Sequence, residues 1–266
     1  MGIQISRRTV MRRAISAAAG AAAATTTIKV ADAVGESGPL PFYSGPAASI
    51  HADRRTPPKN SHVDVVWSVN TIKRQIALTF DDGPKPQWTP RVLDSLRRHG
   101  VPATFFLVGR NVVEHGDILA RDADRHEFAN HTWEHRDLAR QDLAEVTEAL
   151  TRTHEAIIQT LGRVPTLLRP PYGHIGGSTM LACAELGYSV VLWSRQMLES
   201  DFIDNPSGLV DYIVGSSGAG DIVLAHDTGP QDRLVAIDRL DSMIEGLHER
   251  GFEFVTVSQL LSGSSG

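Results

Sequence analysis

At 266 residues and 41% apolar side chains, the chain has material for one large domain or two small ones, with a sizeable core. Its formal charge of −5 becomes −9 once residues 1–33 are set aside, because that stretch holds five basic residues and one acidic residue. So acidic a remainder excludes nucleic acid and anionic membranes as general ligands, and a lone cysteine, Cys183, excludes an internal disulfide.

Residues 1–33 place Arg7, Arg8, Arg12 and Arg13 ahead of an Ala-rich stretch and a small-residue site at Ala31-Asp32-Ala33. That is the layout of an export signal, the competing reading being a disordered basic tail. Arg7-Arg8 in SRRTVM resembles the twin-arginine type. The stretch is short and weakly apolar, and no later segment approaches the roughly 18 consecutive apolar residues of a membrane span. A secreted or wall-associated protein is therefore expected. Residues 34–62 repeat Pro, Gly and Ser without periodicity and read as a flexible linker.

From 63 to 262, strand-like and helix-like segments alternate. The first strand, 75–80, stops at Asp81-Asp82 and is turned by Gly83-Pro84. Thr89-Pro90 then reads as the cap and first position of a helix running to about Gly100. Strands at 103–108 and 127–130 follow. Asp142 with Glu145 predicts a capping box, opening a helix that lines Leu143, Val146, Leu150, Ile157 and Leu161 along one face. Segments 166–168, 188–193, 221–225 and 252–257 complete seven strands. Cys183 lies in the helix-like STMLACAELG as a small buried apolar residue. Near the end, Ile237, Leu240, Ile244 and Leu247 repeat at helical spacing up to Gly251. The alternation predicts an α/β fold with a parallel sheet, either a distorted (β/α) barrel of about seven strands or an open doubly wound sheet. In both, functional groups gather at the carboxyl ends of the strands.

The polar clusters do follow strands. They are Asp81-Asp82, NHTWEH with His131 and His135, RPPYG from Arg169 to Gly173, WSRQMLESDF, and AHD with His226. Histidines four apart can converge on one ion in a helical turn or a tight loop, and a carboxylate then completes a two-His, one-carboxylate set. The remaining histidines carry no such spacing and read as ordinary surface or core residues. Two adjacent carboxylates doing the same work would repel until one took a proton. They make sense if one holds a cation and the other, held by a cationic side chain, serves as a base. The alternative is an N-cap or Asx turn, which accounts for only one of them.

The segments TFDDGP (79–84), HTWEH (131–135), RPPYG (169–173) and LAH (224–226), in this order, resemble the polysaccharide deacetylases of carbohydrate esterase family four, which share the nodulation-protein-B homology domain. The matches span most of residues 75–260. The resemblance implies a distorted (β/α) barrel of fewer than eight strands and a divalent ion, most simply Zn2+, held by Asp82, His131 and His135. It implies that Asp81 is the general base, tethered and aimed by Arg169, and that the Tyr172 backbone N–H stabilises the oxyanion. His226 is implied as the acid that protonates the departing nitrogen, and Leu224, with Pro171 and Trp193, as the substrate pocket. One segment departs from the family pattern: in WSRQMLESDF, Asp201 stands for the carboxylate expected behind His226 at a longer spacing, Leu198 replaces an earlier Asp, and Glu199 is an alternative partner.

The function expected is removal of N-acetyl groups from N-acetylglucosamine units of an acetylated glycan, peptidoglycan or chitin-like. An O-acetyl esterase acting on xylan is an alternative that would use the same residues. HTWEH also fits the H-x-x-E-H pattern of zinc peptidases with Glu134 as base, but that pattern needs a long helix and leaves the Asp pair, Arg169 and His226 idle. A catalytically idle wall-binding relic is the third reading, supported only by the irregular segment after residue 193.

Overall fold

The computed structural model describes residues 62–263; the leader expected at 1–33 and, His62 apart, the linker expected at 34–62 lie outside the described residues. Among the described residues there are nine strands: β1 (Val65–Val66), β2 (Gln75–Asp81), β3 (Thr104–Leu107), β4 (Glu127–Asn130), β5 (Leu167–Leu168), β6 (Ser189–Val191), β7 (Arg195–Gln196), β8 (Ile222–His226) and β9 (Glu253–Phe254). Eight of them run in the order β1-β6-β5-β4-β3-β2-β8-β7, curled into a half-barrel, and β9 joins the beginning of β2. Every strand pairing in the sheet is parallel.

The helices are α1 (Thr89–His99), α2 (Gly109–His115), α3 (Asp117–Ala120), α4 (Leu143–Leu161), α5 (Gly177–Leu186), α6 (Pro206–Ser216), α7 (Leu234–Asp238), α8 (Leu240–Glu249) and α9 (Val257–Ser262). Among the described residues none is long and apolar enough to cross a membrane.

β2 shows how the sheet builds its core. Ile76, Leu78 and Phe80 pack outward with residues of α1 and α8, while Ala77 packs with Phe106, Ala129, Leu167, Val191 and Ile222 in the interior. A strand buried on both faces reads as a nearly continuous apolar run, which is why IALTF looks as it does. Period two then places Thr79 and Asp81 on the inner face with Ala77, and Leu224 and His226 on the inner face of β8 with Ile222. Small inner residues on β2 and β4 leave the interior open to larger groups from the strands opposite.

The registers bring the strand ends level. Asp81 lies beside Phe106 of β3 and His226 of β8, Leu107 beside Asn130, and Asn130 beside Leu168. Whatever follows those residues therefore meets on one rim.

All seven predicted strands are present, trimmed or extended at their ends, and β1 and β7 are added to them. Each of the two is only two residues long, as β5 and β9 also are, so length alone does not separate the expected strands from the added ones. The capping box of Asp142 and Glu145 opens α4, and Gly162 closes it at φ 66°. Cys183 is fully buried, and burial pushes its thiol up to about 12. Two local readings change. Thr89 does not cap α1: Trp88 holds the cap position, and the Thr89 hydroxyl instead donates to Asp227 at 2.6 Å. The helix expected to end at Gly251 breaks at Arg239 into α7 and α8.

Candidate active site

Arg169, immediately after β5, has no exposed surface although it is an arginine. A buried guanidinium must find partners for its donors, and here each of its three nitrogens has at least one. Nη1 donates to Asp81 Oδ1 and to Thr79 Oγ1, both at 2.7 Å, Nε to the Val191 carbonyl at 3.2 Å, and Nη2 to the Leu192 carbonyl at 3.0 Å. Its flat face lies 4.0 Å from the centre of the Phe106 ring. Burial pulls the Arg169 pKa below its ordinary value, and Asp81 opposes that pull. Asp81 is thus fixed as one half of a buried ion pair, with its other oxygen 3.8 Å from His131 Nε2.

Asp82 points elsewhere. Its backbone sits in the left-handed region at φ 80°, with its carbonyl held by Asn111 of α2 at 2.7 Å. Oδ1 lies 3.4 Å from His131 Nε2 and 3.2 Å from His135 Nε2, buried yet without a hydrogen bond. His131 Nδ1 meets the Arg169 carbonyl at 2.6 Å, so that nitrogen carries the proton and Nε2 of the neutral ring presents a lone pair.

An orphaned carboxylate oxygen between two imidazole nitrogens is a set of donors that a divalent cation satisfies. The three ligand atoms lie within 4.8 Å of one another. The residues fit the ion that the resemblance implies. Without it the charges answer one another. Burial disfavours charge on Asp82, but His131, His226 and His135 outweigh it and hold its pKa well below the carboxylate range. Burial likewise opposes protonation of His131, yet Asp81 and Asp82 raise its pKa. His135 is lowered, first by burial and then by His131.

The histidines sit in a tight loop, not on a helix. Thr132 and His135 both have positive φ, 68° and 62°; Thr132 N–H donates to Asn130 Oδ1 at 2.9 Å and His135 N–H to Thr132 Oγ1 at 3.1 Å. The Thr132 and Trp133 carbonyls accept from Gly109 and Arg110 at the start of α2. Glu134 turns away to pair with Arg136 at 2.8 Å. The helix that a peptidase reading of HTWEH requires is absent. Among the described residues, the four non-glycine positions with positive φ are Asp82, Thr132, His135 and Tyr172, all at this rim. Backbone strain of that kind persists only where the surroundings enforce it.

The other predicted residues close the rim. Tyr172 (φ 60°) is exposed, its ring edge-on to His135 with centroids 4.9 Å apart. Pro171 and Leu224 are buried, and Trp193 is partly buried, its ring over Gly173 and 5.8 Å from the Arg169 guanidinium carbon. His226 Nδ1 faces Glu199 Oε1 at 3.2 Å. Asp201, the first choice for that place, is exposed: the short helical turn Glu199–Phe202 puts Glu199 inward and Asp201 outward.

Two groups were not anticipated. Asp227 is fully buried and accepts the Thr89 hydroxyl, and burial pushes its carboxyl up to about 7. Arg233 Nη1 donates to Asp82 Oδ2 at 2.7 Å. Asp227 could have been found from AHD, where it follows His226; nothing in its spacing marks Arg233.

A profile described as polysaccharide deacetylase matches residues 68–191. A peptidoglycan-N-acetylglucosamine deacetylase of Bacillus cereus is 36% identical over 200 residues, which cover 74% of this chain and 92% of that one. A peptidoglycan-N-acetylglucosamine deacetylase of Listeria monocytogenes is 34% identical over 78% of this chain, but the match spans only 43% of that longer protein. Among solved structures, the Bc1960 peptidoglycan N-acetylglucosamine deacetylase is similar with a TM-score of 0.70 and 32% identity, covering 74% of this chain and 92% of that one. A parallel half-barrel with Asp82, His131 and His135 gathered at its carboxyl rim defines an α/β protein with a candidate metal centre. The chain belongs to the polysaccharide deacetylase family.

Proposed function

We propose that the protein hydrolyses N-acetyl groups on N-acetylglucosamine units of a cell-wall glycan, peptidoglycan or a chitin-like polymer. The observation that carries this reading is the division between two adjacent carboxylates. Asp81 is locked to Arg169, and Asp82 turns an unpartnered oxygen to His131 and His135. The named deacetylase activities of the relatives support the same reading. Asp82, His131 and His135 would hold the ion, and their two-nitrogen, one-oxygen set suits Zn2+. When bound, the ion supplies Lewis acidity, easing ionisation of water and polarising the acetyl carbonyl.

The remaining work falls to the chain itself. Asp81 accepts the proton of the attacking water at Oδ2, while Oδ1 stays on Arg169. The Tyr172 N–H, on a backbone held at φ 60°, is the donor assigned to the oxyanion. His226, with Glu199 on Nδ1, delivers a proton from Nε2 to the leaving nitrogen. An amine leaving group needs that proton because an amide anion is a very poor leaving group. A sugar alkoxide needs it less, which favours an amide over an ester as the bond cleaved.

The test is acetate release from an acetylated chito-oligomer. Activity should vanish on thorough chelation and return with Zn2+. Asp81→Asn should lower kcat by about 10³-fold or more, and Glu134→Gln should leave it within about twofold. The reverse pattern for those two variants would sink the assignment.

A further inference from the structure

Asp82 has two oxygens, and only Oδ1 faces the histidines; the other is taken by a group that no motif marks. Arg233 closes the short helical turn Gln231–Arg233 in the segment that follows β8. Its Nη1 donates to Asp82 Oδ2 at 2.7 Å and to the Thr228 carbonyl at 2.8 Å. The side chain lies across Gly229, where an added Cβ would come within 2.7 Å of the guanidinium, so this approach requires a glycine. The segment is anchored on both sides: Asp227 N–H reaches the Asp81 carbonyl at 3.3 Å, and Ser200 donates to Asp232 Oδ2 at 2.5 Å. Arg233 is therefore placed by its surroundings rather than swinging free.

We infer that Arg233 is a positioning residue for the metal ligand Asp82, holding Oδ2 so that a single carboxylate oxygen is offered to the ion. The inference rests on the proposal that Asp82, His131 and His135 hold a divalent cation. A carboxylate behind a histidine ligand makes that ligand a stronger donor. A guanidinium behind a carboxylate ligand does the reverse, drawing charge away from the oxygen that remains. Two carboxylate–guanidinium pairs then stand side by side, Asp81 with Arg169 and Asp82 with Arg233. Less negative charge reaches the ion, so it binds more weakly but stays the stronger Lewis acid. The same contact ties the loop after β8 to the ligand at the end of the neighbouring strand, β2.

The experiment compares wild type, Arg233→Gln and Arg233→Lys in the full chain, stripped of metal and titrated with Co2+. The Arg233 side chain is 24% exposed, so its replacement leaves no buried hole. The glutamine variant is expected to bind Co2+ about tenfold more tightly, since a cation next to the site is gone. Its visible absorption should weaken, because the freed Oδ2 raises the coordination number. Its kcat on an acetylated chito-oligomer should fall about tenfold with KM little changed. Lysine, which can still place a cation on Oδ2, should restore the wild-type spectrum. Unchanged affinity and spectrum in Arg233→Gln would overturn the role given to Arg233 alone. Failure of the wild type to bind Co2+ would overturn the metal reading beneath it, and with it this inference.

Discussion

Asp81 and Asp82 are neighbours in sequence but not in environment, and that difference is set by the backbone. The strand carries Asp81 to the inner face, where Arg169 waits; the next residue turns to φ 80° and swings its carboxylate to the histidines. Like charges so close are tolerable because each has its own cation, Arg169 for one and Arg233 for the other. The same residue-scale logic distinguishes Glu199 from Asp201. Glu199 is buried against His226 Nδ1, so it fixes which ring nitrogen points outward. Glu199→Gln should lower kcat about 10- to 100-fold with little change in KM, whereas Asp201→Asn should stay within about twofold. Steady-state kinetics on an acetylated chito-oligomer would separate the two, and equal losses in both variants would contradict the placement of Glu199.

At the scale of elements, the turn after β2 is wedged between two others. Gly83 has no side chain because the Asp227 carboxylate occupies that space: an added Cβ would lie 2.2 Å from its Oδ2. Asp227 in turn accepts the Thr89 hydroxyl of α1, and that hydroxyl accepts the Lys85 N–H at 2.8 Å. β2, α1 and the loop after β8 are locked through one buried carboxyl. Gly83→Ala should therefore move the turn, weakening Zn2+ binding at least about tenfold while leaving the far-ultraviolet circular dichroism unchanged. Retention of full Zn2+ affinity would show that the turn can give way without moving Asp82. Thr89 shows why the sequence misled here. A threonine before a proline at a helix start is an ordinary capping signal, and only the fold reveals that a buried acid outcompetes the helix for its hydroxyl.

Over the whole molecule, what was legible followed from burial and spacing. A parallel sheet with helices on it forces apolar strands, and seven of the nine strands announced themselves that way. β7 is the polar pair Arg195–Gln196, with no apolar run to mark it, and β1 is joined to the sheet by pairing with β6. Histidines four apart and an Asp pair at a strand end marked the three side chains whose ligand atoms come together. Arg233 left no trace because its position depends on how a loop folds back over Gly229, which no local pattern encodes. One further property belongs to the molecule as a whole. His126 is buried beside Phe105 and accepts the Ala103 N–H at Nδ1, and burial lowers its pKa from 6.5 to about 4. The folded chain thus binds this proton less readily than the unfolded chain. Its contribution is complete above about pH 6.5 and is lost as pH falls toward about 4. Between pH 7 and 5 this amounts to about 2 kcal/mol, which urea unfolding should detect in the wild type and find much reduced in His126→Gln.

The order of the rim along the chain has its own consequence. Asp82, His131 and His135 all come from β2 and β4 or the turns after them, whereas Arg169, Glu199, His226 and Arg233 belong to the later half. A ribosome making this protein completes the proposed metal-binding set long before it reaches His226, the proposed acid. The early residues nevertheless wait on the late ones: His131 is held by the Arg169 carbonyl and Asp82 by Arg233, so the set takes its final arrangement only when β8 and the loop after it stand beside β2.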